Sequence, residues 1–200
     1  MKRREKRLFF ALLCALLLSM AVTEGLLLIQ GRWKEAIPLH LCSLSAIVAA
    51  VLTQVERQFL LDFLWYLGMP GAALALVFPA PASSICQGLL NASYITTHAM
   101  ILVIPCCRMA LGMRPREGKT AWMMSMLLGI AVPVLIVNRL LGTDFLFLSA
   151  PPIGTPLEAV FHLGYPLYLA ALFALMLLCC IGMERLSGCI FRRGFKEKRQ

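Results

Sequence analysis

The chain has 200 residues, of which 60% are hydrophobic and 14% charged, and its mean hydropathy is +0.81. A soluble domain averages about 25% charged residues, so this composition excludes an ordinary soluble globular domain. The formal net charge is +9. We expect membrane topology and attraction to anionic lipid to explain this charge, with no nucleic-acid partner.

Six apolar runs follow one another along the chain, each long enough to cross about 30 Å of hydrocarbon as a helix. They cover residues 8–29, 38–55, 59–78, 94–113, 121–141 and 165–183. None of them alternates as barrel strands do, and a segment in lipid must satisfy its backbone groups internally. The sequence therefore predicts an all-α fold, a single membrane domain over residues 1–200 with six transmembrane helices.

The positions of the cations predict the orientation, because Lys and Arg collect on the cytoplasmic side of a membrane. With the amino terminus inside, sixteen of the nineteen cations lie in cytoplasmic segments, and only Arg32, Lys34 and Arg139 lie outside. We expect both termini in the cytoplasm, residues 79–93 outside and residues 114–120 inside. The expected location is a cell membrane, the bacterial inner membrane.

The eight cysteines indicate neither a disulfide framework nor a metal site. Six of them lie in predicted helices, one in the cytoplasmic tail, and only Cys86 in an outer loop. The adjacent pairs at 106–107 and 179–180 lack the spacing and the histidine partners of a zinc site. We expect no metal and no other cofactor.

Six polar side chains from four predicted helices share one level near the outer face. They are Glu24, His40, Cys42, His98, Asn138 and Arg139. Polar groups in hydrocarbon are costly unless they face the bundle interior and find partners, so such a layer indicates a functional site. The alternative is a hydrogen-bonded network that only fixes helix packing.

Within this layer His98 is a better partner for Cys42 than His40 is. Residues two apart on a helix point about 200° apart, so His40 and Cys42 do not face one small cavity on a regular helix. A cysteine near a helix amino terminus with an imidazole from another helix is typical of acyl-transfer chemistry. Arg139 and Asn138 would hold a phosphate or an oxyanion at the same level.

Four stretches, IPLHLCSLSAIVAAV, SYITTHAMILV, VNRLLGTDFLFLSAPP and LGYPLYL, resemble the YwaF-type family of bacterial integral membrane proteins. Eukaryotic relatives of that family include transmembrane acyltransferases that act on phospholipid acyl chains through a cysteine and a histidine. The resemblance implies that Cys42 is the nucleophile and His98 its partner. It also matches family positions at Glu24, His40, Asn138 and Gly142.

The segment GTDFLFL departs from the GTNYMFL that is typical of the family. Asp144 and Phe145 thus stand where an amide and a phenol are usual, and Asp144 joins the polar layer as a rim group. A lost phenol removes a hydrogen-bond donor from the rim. This departure implies a shifted substrate or a lost activity.

Two classes of function stay open at this point. One is a cysteine-dependent membrane enzyme that transfers or hydrolyses lipid acyl chains. The other is a non-enzymatic protein that binds lipid or transports a small solute through the same polar layer. The expected partners are membrane phospholipid and, at the cytoplasmic face, anionic lipid, and self-association into a homo-oligomer stays open.

Two ion pairs are also expected. Glu24 and Arg139 share a depth and carry opposite charges, so we expect them to pair. Asp62 lies one turn inside the third run, and we expect it to snorkel or to pair with Arg57.

Overall fold

The computed structural model describes residues 3–78 and 87–196, with side chains placed over 3–78 and 88–190. These residues form helices and no strand, which confirms the all-α prediction. The helices are α1 (Arg3–Ile29), α2 (Leu41–Gln54), α3 (Gln58–Phe63), α4 (Met69–Val77), α5 (Gln87–Ala110), α6 (Thr120–Leu141), α7 (Leu157–Leu163) and α8 (Tyr165–Lys196). A π-helical turn (Leu64–Gly68) joins α3 to α4.

Five helical segments of the described chain are long and apolar enough to cross a membrane. They are Arg3–Ile29, Gln58–Val77, Gly88–Ala110, Thr120–Leu141 and Tyr165–Ile190. The second predicted span is shorter than expected, because α2 has 14 residues. His40 (φ −69°, ψ 148°) and Val55 (φ −126°, ψ 136°) are both extended and end the helix there. The orientation across the membrane stays a prediction.

Helices α5 and α8 extend well beyond the predicted apolar runs. Helix α5 begins at Gln87, seven residues before the predicted start at 94, and α8 continues to Lys196, past the predicted end at 183. A hydropathy window ends where polar residues begin, whereas a helix continues as long as its backbone and side chains find hydrogen bonds. Of the predicted outer segment, residues 79–86, Cys86 included, lie outside the described residues.

The chain reverses direction at two ends of the bundle. The end that contains the connections 30–40 and 142–164 is called the Cys42 end, and the end that contains 55–57 and 111–119 is called the Arg108 end. The core between them is centred on α2, α5 and the π turn, where Ala46, Ala49, Leu64, Ile101 and Ile104 are fully buried.

The π turn in the third span results from a proline in the sequence that follows it. Pro70 has no N–H, so the carbonyl of Tyr66 receives no hydrogen bond from the residue four positions on. The thiol of Cys180 on α8 donates to this carbonyl instead, at 3.2 Å. Gly68 lets the turn approach α2, since a Cβ there would lie 3.1 Å from Ser45 Oγ. The irregular backbone is thus placed where neighbouring helices satisfy it.

Arg108 is buried at the carboxyl end of α2, with 1% of its surface exposed. Its Nε and Nη2 donate to the carbonyls of Leu52 and Thr53, each at 2.9 Å, and its Nη1 lies 2.6 Å from Glu56 Oε1. The guanidinium also stands over the ring of Phe9, 4.0 Å from the centroid. A cation is favourable at a helix carboxyl terminus, where the last carbonyls lack partners. Arg108 therefore supplies hydrogen bonds to the last carbonyls of the short helix α2 inside the bundle.

The connection between α5 and α6 is fixed by Asp62, whose side chain is fully buried. Its Oδ1 accepts from the backbone N–H of Arg116 at 2.9 Å, and its Oδ2 lies 2.6 Å from Arg116 Nε. The phenol of Tyr66 donates to the Arg116 carbonyl at 2.8 Å. The prediction that Asp62 snorkels or pairs with Arg57 was therefore wrong, because Arg57 is exposed and a loop distant in sequence supplies the partner.

Replacement of Arg108 by Met should destabilise the protein by about 2–4 kcal/mol, because the carbonyls of Leu52 and Thr53 would be buried without donors. Arg108→Lys should recover part of the loss, since it restores the charge but cannot donate in a planar fork. The thermal midpoint in detergent measures the effect, with Arg57→Met at an exposed position as the matched control. Equal midpoints for Arg108→Met and Arg57→Met would contradict this role.

Candidate functional site

Helices α1, α2 and α5 pack against one another in pairs and form a three-helix interface that reaches the Cys42 end. Below that end the interface is apolar and closed, with Leu16, Ala46 and Ile101 fully buried. Between α1 and α5 it also holds two hydrogen-bonded hydroxyl pairs, each 2.8 Å apart, Ser19 with Thr97 and Thr23 with Ser93. These bonds fix the rotation of α1 against α5.

Three of the predicted site residues lie at the outer limit of this interface. Cys42 is four residues before Ala46, His98 is three residues before Ile101, and Glu24 is four residues after Met20, which packs against the core. Residues three or four apart share a helix face. Each polar residue is therefore stacked one turn beyond a core residue of its own helix, and we call the three together the Cys42 site.

The imidazole of His98 is buried and has a defined tautomer. Its Nδ1 lies 2.7 Å from the carbonyl oxygen of Tyr94, which can only accept, so Nδ1 carries the proton and donates. The ring also packs against the ring of Tyr94, with centroids 4.1 Å apart. Nε2 then keeps its lone pair and is the basic nitrogen. The backbone of α5 itself thus fixes the orientation of the His98 ring.

Tyr94 is a site residue that the sequence did not single out, because an aromatic residue near the end of a membrane helix is usually an interfacial anchor. Its phenol donates to the carbonyl of Ala75 on α4 at 2.8 Å and is within electrostatic reach of Cys42. Its position four residues before His98 was the available signal, since such a pair shares a helix face. Tyr94 thus connects α4 to His98.

Cys42 is the second residue of α2 and packs against the buried core. It is a free thiol. Unpaired backbone N–H groups and the helix dipole at this position favour a negative charge on sulfur, whereas burial of the thiol opposes that charge. The structure thus gives Cys42 the helix start that the sequence predicted and places it at the same end of the same interface as His98.

His40 belongs to a different cluster. Its ring contacts the ring of Phe145 edge-on, with centroids 5.2 Å apart, and the ring of Phe147 at 5.8 Å. These phenylalanines lie on a 3-10 turn (Phe145–Phe147) that follows α6. Burial lowers the pKa of His40 below its ordinary value of 6.5, and the charge of Glu35 opposes this effect. His40 therefore fixes the chain just before α2.

Asn138 bonds to the backbone of the same turn, and Asp144 bonds to the backbone that follows it. Asn138 Nδ2 donates to the carbonyl of Phe145 at 2.9 Å, and its Oδ1 accepts from the Phe145 N–H at 2.8 Å. Asp144 Oδ1 accepts from the N–H groups of Ser149 at 2.7 Å and Ala150 at 3.3 Å. Burial raises the pKa of Asp144, and these backbone hydrogen bonds oppose the shift. The hydrogen-bonding capacity of both side chains is directed to the turn.

The turn holds two strained residues, Leu146 (φ 60°) and Phe147 (φ 54°), which are left-handed although neither is glycine. Such conformations cost about 1–3 kcal/mol each and persist only where the surroundings impose them. Here the phenol of Tyr168 donates to the carbonyls of Phe147 and Ala150, and that of Tyr165 donates to Leu148. The predicted single polar layer is thus two clusters, the Cys42 site and this turn.

The predicted ion pair between Glu24 and Arg139 was wrong. Arg139 is exposed, whereas its neighbour Asn138 is buried, because successive residues on a helix point about 100° apart. Glu24 Oε2 is buried and has no hydrogen-bond partner within the described part of the chain. Glu24 therefore keeps a carboxylate oxygen that no protein donor satisfies.

These features define a multi-pass helical membrane protein with a polar site at one end of its bundle. The model of the TMEM164 family matches residues 1–183, and the chain belongs to this family of transmembrane proteins. No curated protein and no solved structure matches the chain. The link to the YwaF-type family and the roles of the individual site residues stay predictions.

Titration of His40 should make stability depend on pH. The unfolded chain binds the proton near pH 6.5, and folding lowers that pKa, so this stabilisation is complete above the unfolded pKa and is lost as the pH falls through it. Between about pH 7.5 and about pH 5, the thermal midpoint should therefore fall more for the wild type than for His40→Phe, which keeps the ring contacts without titrating. Equal shifts in both proteins would contradict the burial of a neutral His40.

Proposed function

We propose that this TMEM164-family protein catalyses acyl transfer or ester hydrolysis on membrane lipid, with Cys42 as nucleophile and His98 as base. The observation that carries the proposal is the hydrogen bond from His98 Nδ1 to the Tyr94 carbonyl. It directs the basic Nε2 lone pair away from that carbonyl, on a helix that packs against the one bearing Cys42. A cysteine with a positioned imidazole is a general arrangement for acyl transfer.

The chemistry follows from the two groups. His98 Nε2 takes the proton of the Cys42 thiol, and the sulfur forms a bond to the ester carbonyl carbon of a lipid. The ester C–O bond breaks, and the leaving alkoxide receives the proton from the imidazolium. The acyl chain is then a thioester on Cys42. An acceptor hydroxyl or water attacks the thioester carbonyl, the C–S bond breaks, and the thiol is restored.

The surroundings of the site suit a lipid substrate. Cys42 is half-buried, and α6, which follows the bundle to the Cys42 end, exposes Val132, Ile136 and Leu140 on its outer face. In a membrane such apolar surface faces acyl chains. The proposed partners are membrane phospholipid at the site and anionic lipid at the basic cytoplasmic face, and the proposed location is the bacterial inner membrane, with the Cys42 end outward.

Cys42→Ala and His98→Ala should each lower lipid-acyl turnover by about 100-fold or more, and the double change should lower it no further, because each group acts only through the other. The assay follows a phospholipid with a fluorescent acyl chain in proteoliposomes of the purified full chain. Cys14→Ala, at an exposed position on α1, is the matched control.

Cys42→Ser separates this enzyme from a lipid-binding or transport protein. Serine is nearly isosteric and still polar, so a binding or transport function would persist, whereas a cysteine enzyme loses most of its rate because a hydroxyl is a much poorer nucleophile near neutral pH. Elution as a monodisperse species establishes that the variants fold. The proposal would be contradicted if Cys42→Ser turned over lipid at the wild-type rate. It would also be contradicted if the wild type showed no turnover.

A further inference from the structure

Glu24 presents a buried carboxylate oxygen that the protein leaves unsatisfied. Among the described side chains, two buried polar atoms lack a hydrogen-bond partner, Glu24 Oε2 and Ser45 Oγ. Burial of an unpaired hydroxyl costs little free energy, but burial of an unpaired carboxylate in an apolar bundle costs much more. A group of this kind calls for a donor that is not part of the chain.

The rotation of α1 directs Glu24 toward α2. Ser19 and Thr23 bond to α5 across the interface, and Met20 packs against the core. At 100° per residue Glu24 lies about 40° beyond Met20 and about 140° from Ser19. Helix α1 packs on both α5 and α2, so the buried side that α5 does not occupy belongs to α2. The first turn of α2 carries Cys42.

Two other roles for Glu24 do not fit the geometry. It is not the group that orients His98, because Nδ1 of that imidazole already donates to the Tyr94 carbonyl. It is not one half of a structural ion pair with Arg139, which is exposed. The structure therefore leaves one buried oxygen of this carboxylate, Oε2, without a protein donor at the Cys42 site.

We propose that Glu24 binds the acyl acceptor, a lipid alcohol whose hydroxyl donates to the Glu24 carboxylate; this rests on the proposed function of Cys42 and His98. As the acceptor oxygen forms its bond to the thioester carbonyl carbon, its proton passes to Glu24 and the C–S bond to Cys42 breaks. The departing thiolate then recovers the proton from the Glu24 carboxyl group. His98 thus serves the first half of the reaction and Glu24 the second.

The two halves can be measured separately on the purified full chain in proteoliposomes. The donor is a phospholipid with a fluorescent acyl chain, and the acceptor is a lysophospholipid with one free glycerol hydroxyl. Fluorescence bound to the protein and released by hydroxylamine reports the Cys42 thioester, and fluorescent product lipid reports its transfer. Glu35→Gln is the matched control, since Glu35 lies at the same end but is exposed and paired with Arg32.

Glu24→Gln should form the thioester at the wild-type rate and transfer it to the lysophospholipid about 100-fold more slowly, because the amide accepts no proton. Glu24→Asp should restore part of the transfer rate, and it also supplies the readout if Glu24→Gln does not fold. Transfer by Glu24→Gln at the wild-type rate would overturn the role of Glu24 while the thioester still supports the proposed function. A wild type that forms no thioester would overturn both.

Discussion

The capping of α2 by Arg108 is the interaction on which the rest of the structure depends. A helix of 14 residues is too short to place both of its ends in water on the two sides of a membrane. Its last carbonyls therefore need donors inside the bundle, and the guanidinium of Arg108 supplies them from α5. With that end fixed, and with His40 held against Phe145 at the other end, the first turn of α2 has one position relative to α5. That position sets where Cys42 lies at the end of the bundle that also holds His98.

The same logic accounts for the two polar clusters at the Cys42 end. The turn after α6 keeps Leu146 and Phe147 in left-handed conformations, and Asn138, Asp144 and two tyrosines supply the hydrogen bonds that hold it. The turn presents the rings of Phe145 and Phe147 to His40. The Cys42 site, by contrast, has a buried imidazole with a defined tautomer and a carboxylate oxygen without a partner. One cluster uses up its hydrogen bonds within the protein, and the other leaves capacity for a ligand.

The apolar runs were sufficient to predict an all-α membrane fold. In lipid, every backbone group must be hydrogen-bonded within the protein, and a sequence without the alternating pattern of barrel strands achieves this only as helices. The helix rise per residue also predicts one level for His98 and Cys42, and this stays a prediction. The rotation of each helix could not be predicted. It separates the buried Asn138 from the exposed Arg139, so that Glu24 and Arg139 form no ion pair. This rotation depends on contacts such as the bond between Ser19 and Thr97 that join distant parts of the chain. The partner of Asp62 was missed for the same reason, because Arg116 lies 54 positions away.

The central claim, that residues 42 and 98 face each other across the interface of α2 and α5, is tested most directly by cross-linking. In a chain in which every other cysteine is replaced, His98→Cys is treated in membranes with a short thiol-specific bifunctional reagent, and linked peptides are identified by mass spectrometry. Thr97→Cys is the control, because Thr97 bonds to Ser19 on α1. The structure predicts that Cys42 is linked in the His98→Cys protein and unlinked in the Thr97→Cys protein. Linkage of Cys42 in the Thr97→Cys protein alone, or in neither, would contradict it.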